Sequence, residues 1–499
     1  MEILIAIAGL GIICLIAEIF NLRKAIVPVT VIGLLAVFGY TATLAVHQGT
    51  VIWPSLRMNG SNYFNMIKAD GYGLAFSSLF ILLTIFLVAL TPEFHKNHKP
   101  KLSDFVAIKL FLLTGAIAMV TFGNLSMFFL GIEVLSIALY VLAASEPKNV
   151  KSNEAGMKYF LMGAFASGFI LFGIALIYGA TGSFDAATIQ AAGRAGNLPA
   201  WFDIGFAMLS IGLLFKIAAV PFHFWAPDVY EGSPALTTAT MSTLAKVAAM
   251  AAFFKLSYSL NSTISGPYLT IINTIAILSM MVGNLIALKQ TNVKRMLAFS
   301  GVAHAGYMLL IFQIVTLTGA QANLFYYAAA YSIAGIAAFA VVISVCGNKG
   351  NEEIYNFNGL GKTSPLLAGV LTCALLSMAG IPIFSGFFGK FFLFGQVLHK
   401  GIKAGPEHMQ ALITAILLIV FAIVSSIISV GYYFRLIIAM YSKEPADDTK
   451  LAVPFAYKSI AVIAIVINVV IGLYPDLILS LIRMNSFTQL LVNWGLVKF

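Results

Sequence analysis

The sequence predicts an all-α integral membrane protein of about fourteen transmembrane helices, on three observations. Sixty per cent of its 499 residues are hydrophobic and only 10% are charged, with a mean hydropathy of +0.95. A soluble domain cannot cover its surface with so little polar material. Apolar stretches of about 20 residues follow one another, each long enough to cross a hydrocarbon core ~30 Å thick. These runs are continuous rather than alternating. Lipid requires the backbone to satisfy its own hydrogen bonds, so helices follow rather than a barrel.

In order, the predicted spans are 3–20, 25–46, 71–92, 104–121, 125–144, 156–180, 203–224, 234–258, 267–288, 294–315, 323–346, 365–398, 411–440 and 455–482. The first has no basic leader region and no small-residue cleavage site, so it reads as a retained helix rather than a signal peptide. Spans 365–398 and 411–440 exceed a straight crossing, which implies tilt or a break. Loops after odd-numbered spans carry fifteen Lys and Arg, Lys151 and Lys158 among them. Loops after even-numbered spans carry six, Lys255 among them. This bias puts the odd loops in the cytoplasm and both termini on the outer side. The net charge of +10 is therefore an orientation signal, not a sign of a nucleic-acid partner. Cys14, Cys346 and Cys373 are scattered in apolar segments with no CxxC pattern, so iron–sulfur, haem c and zinc sites on this chain are not expected.

A faint repeat appears on shifting the sequence by 167 residues. Tyr140 then meets Tyr307, Tyr159 meets Tyr326, Gly168 meets Gly335, and Glu133 faces Ser300. Helices 4–8 correspond to helices 9–13, and five helices per copy is odd, so the copies must have inverted topology. The expected organisation is three leading helices (1–103), a first repeat (104–258), a second inverted repeat (267–440) and a last helix (455–482).

Charges inside hydrocarbon are costly and mark function by default. Glu133 lies mid-helix in FFLGIEVLSIALYVLAA and needs a cation from another helix. Lys216 precedes Pro221 by five residues in LLFKIAAVPFHFW. The proline breaks the helix and leaves carbonyls to line a polar cavity. Lys246 lies in TTATMSTLAKVAAMAAFF, after hydroxyl residues able to hold water. Lys390 sits in LLSMAGIPIFSGFFGKFFLFGQ, where Gly380, Pro382, Gly386 and Gly389 mark a second interrupted helix. The plain alternative is a structural ion pair gluing helices for Glu133 and a structural polar contact for Lys246. For Lys216 it is a snorkelling side chain, disfavoured because apolar helix continues on both sides. A lysine embedded among phenylalanines, as Lys390 is, is hard to explain as packing. His223 and His304 are secondary candidates, since histidine exchanges protons near neutral pH, although each also reads as a hydrogen-bonded packing residue. Glu18 and Arg435 belong near helix ends. Gly361-Lys362-Thr363 imitates the end of a phosphate-binding loop, but Asn356 stands where its first glycine belongs and no strand precedes it. Burial disfavours a charged amine and a nearby carboxylate favours it. Moving Glu133 relative to Lys216 would switch the lysine between holding and releasing a proton, with Lys246 and Lys390 passing it on.

Four motifs carry a family resemblance: FFLGIEVLSIALYVLA (128–143), VPFHFWAPDVYEGSP (220–234), KRMLAFSGVAHAGYMLL (294–310) and AGIPIFSGFFGKFFLF (379–394). Together they resemble the antiporter-like membrane subunits of proton-pumping NADH:quinone oxidoreductase, respiratory complex I, over essentially the whole chain. WAPDVYEG is similar to the N-type branch. The resemblance implies fourteen helices, two inverted five-helix repeats, and breaks in helices 7 and 12. It assigns proton transfer to Glu133, Lys216, Lys246 and Lys390. It also implies partners, namely the other complex I membrane subunits, including neighbouring antiporter-like ones, within membrane lipid. FMN, iron–sulfur clusters and quinone are expected on partner subunits, with no cofactor here. The expected location is a bacterial inner (plasma) membrane with both termini on the periplasmic side. Two other readings stay open: a subunit of a multi-component Mrp-type cation/proton antiporter, and a structural anchor whose charges only pair helices.

Overall fold

The computed structural model describes residues 1–46, 65–95, 101–196, 198–260, 266–317, 319–404, 409–445 and 453–479. Its elements are helices: α1 (Glu2–Ile19), α2 (Arg23–Val46), α3 (Gly71–Ala89), α4 (Thr91–His95), α5 (Leu102–Val120), α6 (Leu125–Ala143) and α7 (Val150–Thr181). There follow α8 (Ala186–Arg194), α9 (Trp201–Lys216), α10 (Trp225–Gly232), α11 (Ala235–Thr240), α12 (Lys246–Ser259), α13 (Gly266–Ala287) and α14 (Val293–Leu309). The last are α15 (Ala320–Lys349), α16 (Leu360–Thr363), α17 (Pro365–Ala379), α18 (Ser385–Lys403), α19 (Met409–Ser442), α20 (Phe455–Leu473) and α21 (Asp476–Leu479).

Among the described residues, twelve helices are long and apolar enough to cross a membrane. Two predicted spans are interrupted, as the sequence leads one to expect. The span 203–224 stops being helical at Lys216, and a separate helix, α10, begins at Trp225. The chain leaves the helix ahead of the proline because Ala218 adopts a left-handed conformation at φ 57°. The amide of Val220 is then held by the Ser279 hydroxyl at 2.9 Å. The span 365–398 divides into α17 and α18. Gly380, at φ 90°, ends α17 in the left-handed conformation that glycine adopts without steric cost. Span 411–440, by contrast, is continuous in α19. Residues 480–482 of the last predicted span, and the loop cations Arg57, Lys96, Lys99 and Lys450, lie outside the described residues.

Several cations counted as loop charges are helical. Lys151 and Lys158 belong to α7, which starts six residues before its predicted beginning because Asn149 caps it. Lys255 is a buried residue of α12, paired with Asp70 at 3.0 Å. Glu18 and Arg435 do sit near helix ends. Glu18 pairs with Arg23, and Arg435 donates to the carbonyls of Leu288 and Gln290 beyond the end of α13. Lys362 pairs with Glu444 at an exposed position.

α14 and α15 are buried along almost their whole length, whereas most residues of α1, α2 and α19 are exposed or only partly buried. Close helix contacts come from glycine. A methyl group at Gly115 of α5 would stand 2.6 Å from the backbone nitrogen of Leu135 on α6. One at Gly283 of α13 would stand 2.7 Å from that of Ala303 on α14. Asn124 caps α6 and bridges Asp185, and Asn292 caps α14 and bridges Glu353. Each matching pair lies 168 residues apart, one more than the sequence offset of 167.

Candidate functional site

The interior holds two kinds of buried lysine. Lys255 and Lys294 touch carboxylates directly, Asp70 at 3.0 Å and Glu352 at 2.8 Å. Lys109, Lys216, Lys246 and Lys390 are equally buried, at 2%, 7%, 1% and 6% exposure, and among the described residues meet only neutral groups or none. Lys109 donates to the Leu87 carbonyl at 3.2 Å and the Thr91 hydroxyl at 2.9 Å, away from both interruptions.

Lys216 is the last residue of α9, at the edge of the first interruption. Its ammonium donates to Ser136 Oγ at 2.7 Å and to the Tyr140 hydroxyl at 3.2 Å, both on α6. Ser136 in turn donates to the Ile132 carbonyl, leaving a lone pair for the lysine. Glu133, half-buried on the same helix, accepts from Ser167 of α7 and lies within electrostatic range of Lys216. The structure therefore brings the acid and the lysine into one cluster, with hydroxyls between them instead of an ion pair.

Lys246 opens α12 directly after a π-helical turn, Met241–Ala245. Such single π turns are rare and recur at functional sites. Among the described residues its ammonium has no hydrogen-bond partner. It lies 5.8 Å from the Tyr230 ring and packs against Gly301 of α14, where a Cβ would stand 2.5 Å from it. Tyr331 shares a hydrogen bond with Ser242 of the π turn at 3.2 Å.

Lys390 reaches back from α18 to the second interruption. It donates to the carbonyl of Ala379, the last residue of α17, at 2.9 Å and to Ser426 of α19 at 2.8 Å. This carbonyl is one that the break sets free, since the end of a helix leaves its carbonyls unpaired. The Tyr307 ring lies 4.9 Å from the ammonium.

His304 stands between the last two lysines and within electrostatic range of both. Its Nδ1 bonds the Tyr327 hydroxyl at 2.9 Å and its Nε2 the Tyr433 hydroxyl at 3.3 Å. Tyr433 continues to Ser300 at 2.6 Å. A cavity of about 10 Å³ adjoins His304, Tyr327, Tyr331 and Ser377, room for about one water. His223, in the interrupted segment with Pro221, is buried against Phe224 and Phe299, and among the described residues its Nδ1 has no partner and no hydrogen bond ties it to the lysines. Pro382 lies in the second interruption, between Gly380 and Ile383, both with positive φ.

Sequence reasoning missed the tyrosines. Tyr140 contacts Tyr159 edge-on at 4.9 Å, and Tyr159 stacks on Trp225 at 4.5 Å. Trp225 neighbours Tyr230 at 6.1 Å, beside Lys246. Tyrosines in the middle of apolar spans were the available signal, because a buried hydroxyl needs a partner.

The region 123–429 matches the family model described as NADH:quinone oxidoreductase/Mrp antiporter, transmembrane. The chain is 58% identical to NADH-quinone oxidoreductase subunit N of Flavobacterium johnsoniae, over 97% of this chain and 100% of that one. It is similar to a chain of respiratory complex I from Thermus thermophilus, at 28% identity and a TM-score of 0.78, covering 97% of this chain and all of that one. A chain of the Mrp complex from Dietzia shares the fold, with a TM-score of 0.79 at 21% identity over 96% of this chain and 95% of that one. This multi-pass membrane chain belongs to the NADH:quinone oxidoreductase/Mrp antiporter membrane family, in its subunit N branch.

Proposed function

We propose that the chain is an N-type, proton-translocating membrane subunit of an NADH:quinone oxidoreductase. Glu133 and Lys216, then Lys246, then Lys390 carry the proton, with His304 joining the last two. NADH oxidation, the flavin, the iron–sulfur clusters and quinone belong to partner subunits, and neighbouring antiporter-like subunits pack beside this one in a bacterial inner membrane. Fourteen spans follow if α9 with α10, and α17 with α18, each count as one broken crossing. The recurrent offset of 168 residues supports paired repeats over 104–258 and 267–440, and the loop charges support termini on the outer side.

One observation carries the relay: among the described residues four buried lysines, Lys109, Lys216, Lys246 and Lys390, lack a touching carboxylate while two others have one. Of the four, only Lys216, Lys246 and Lys390 stand at the two helix interruptions or the π turn. An ammonium locked to a carboxylate keeps its proton. One held by hydroxyls, a carbonyl or water can give it up when a nearby charge moves. Lys246, with no hydrogen-bond partner among the described residues, requires water as its hydrogen-bonding neighbour. The hydroxyls of Ser136, Tyr331, Tyr327 and Tyr433 both donate and accept, which suits them to a water-bridged chain. The antiporter reading rests on a shared fold at 21% identity, against 58% for the oxidoreductase subunit. The test is Lys216→Ala and Lys390→Ala in the assembled complex. Loss of NADH-driven proton pumping with assembly intact is expected, and full pumping in both would leave only the structural-anchor reading.

A further inference from the structure

The mechanism above does not use a cluster of charges around α10. Arg295, in the first turn of α14, donates from Nη1 to Asp228 at 2.8 Å and to Glu231 at 3.0 Å. Asp228 also accepts from Lys158 of α7 at 2.9 Å, and Glu231 pairs with Lys151 of α7 at 3.3 Å. Both acids lie on α10, the eight-residue helix beyond the first interruption.

α10 touches the surroundings of two relay lysines. Trp225 Nε1 donates to the carbonyl of Phe215, next to Lys216, at 3.0 Å. The Tyr230 ring lies 5.8 Å from the Lys246 ammonium. α14, which bears Arg295, also bears Gly301, against which Lys246 rests, and His304. Sliding α10 along α14 would therefore change how Tyr230 and Gly301 frame Lys246.

We propose that Arg295, with Asp228 and Glu231, is a positioning latch that ties the Lys216 half of the path to the Lys246 half by fixing α10 against α14. The proposal rests on the relay reading. These groups are partly exposed, at 24–42% for Arg295 and its two acids. Such pairs add little stability individually, so their removal affects register more than assembly. One nitrogen serves both acids, so a lysine ammonium is able to replace it.

The test uses membrane vesicles carrying the assembled complex, with protons pumped per NADH oxidised as the readout. NADH oxidation with a soluble artificial acceptor counts the complex present. Arg295→Gln and Asp228→Asn are each expected to lower the proton yield roughly two- to tenfold. The double variant should be no worse than the poorer single one, and Arg295→Lys should restore most of the yield. Normal yield in Arg295→Gln and Asp228→Asn, beside a dead Lys246→Met, overturns the latch alone. Failure of Arg295→Lys to rescue also overturns it. If Arg295→Gln does not assemble, Asp228→Asn and Arg295→Lys decide by the same criteria. Normal pumping in Lys246→Met overturns the relay beneath it.

Discussion

Lys216 donates to the hydroxyl of Ser136 at 2.7 Å, one turn along α6 from Glu133, whose carboxylate accepts from Ser167 instead. Glu133 and Ser136 share a face of α6, so the acid stands near the lysine of α9 without touching it. A hydrogen bond to a charged group contributes about 1.5–3 kcal/mol, and each 1.36 kcal/mol is about a tenfold change in a proton equilibrium. Ser136→Ala should therefore slow NADH-driven pumping by roughly tenfold while native gels still show the assembled complex. Wild-type pumping would remove Ser136 from the path.

Tyr433 joins His304 to Ser300. Tyr433→Phe keeps the ring and its packing and deletes only the bridging hydroxyl. The net stability change should stay near 0.5–1.5 kcal/mol, visible as a small drop in the melting temperature of the complex. Proton pumping should fall by more than that drop explains. A variant that pumps normally would show that the proton reaches Lys390 by another side of His304.

The second interruption depends on a close backbone contact. A methyl group at Gly386 would stand 1.9 Å from the carbonyl oxygen of Ser377, so α18 must move away from α17. Overpacking of this kind typically costs about 1–3 kcal/mol. Gly386→Ala should lower both thermal stability and pumping, because it displaces Lys390 from Ala379. Gly369 on α17 has open space around it, so Gly369→Ala should change neither. Equal behaviour of the two variants would sink this account of the break.

Much of this arrangement was readable from sequence. Apolar run length located the spans, and Lys216, Lys246, Lys390 and Glu133 stood out because a charge in hydrocarbon is conspicuous. What escaped was long-range pairing. Lys255 read as a loop cation, since its partner Asp70 lies 185 residues away. Nothing local reveals that pairing. The local signal for the first break is strongest at Pro221, although the backbone turns earlier, at Ala218. The tyrosine network joins α6, α7, α10, α15 and α19, and no pattern along one helix encodes contacts among five.

Lys246 gives the sharpest division between a proton path and a structural anchor. It is 1% exposed and without a hydrogen-bond partner among the described residues, so as a mere helix contact it is a liability. Replacing an unpaired buried charge by an apolar side chain of similar shape removes its desolvation cost. The decisive measurement is protons pumped per NADH oxidised by purified complex carrying Lys246→Met, reconstituted in sealed vesicles, together with its melting temperature. The relay predicts an unchanged or higher melting temperature and a large loss of proton yield. An unchanged proton yield at normal assembly would contradict it.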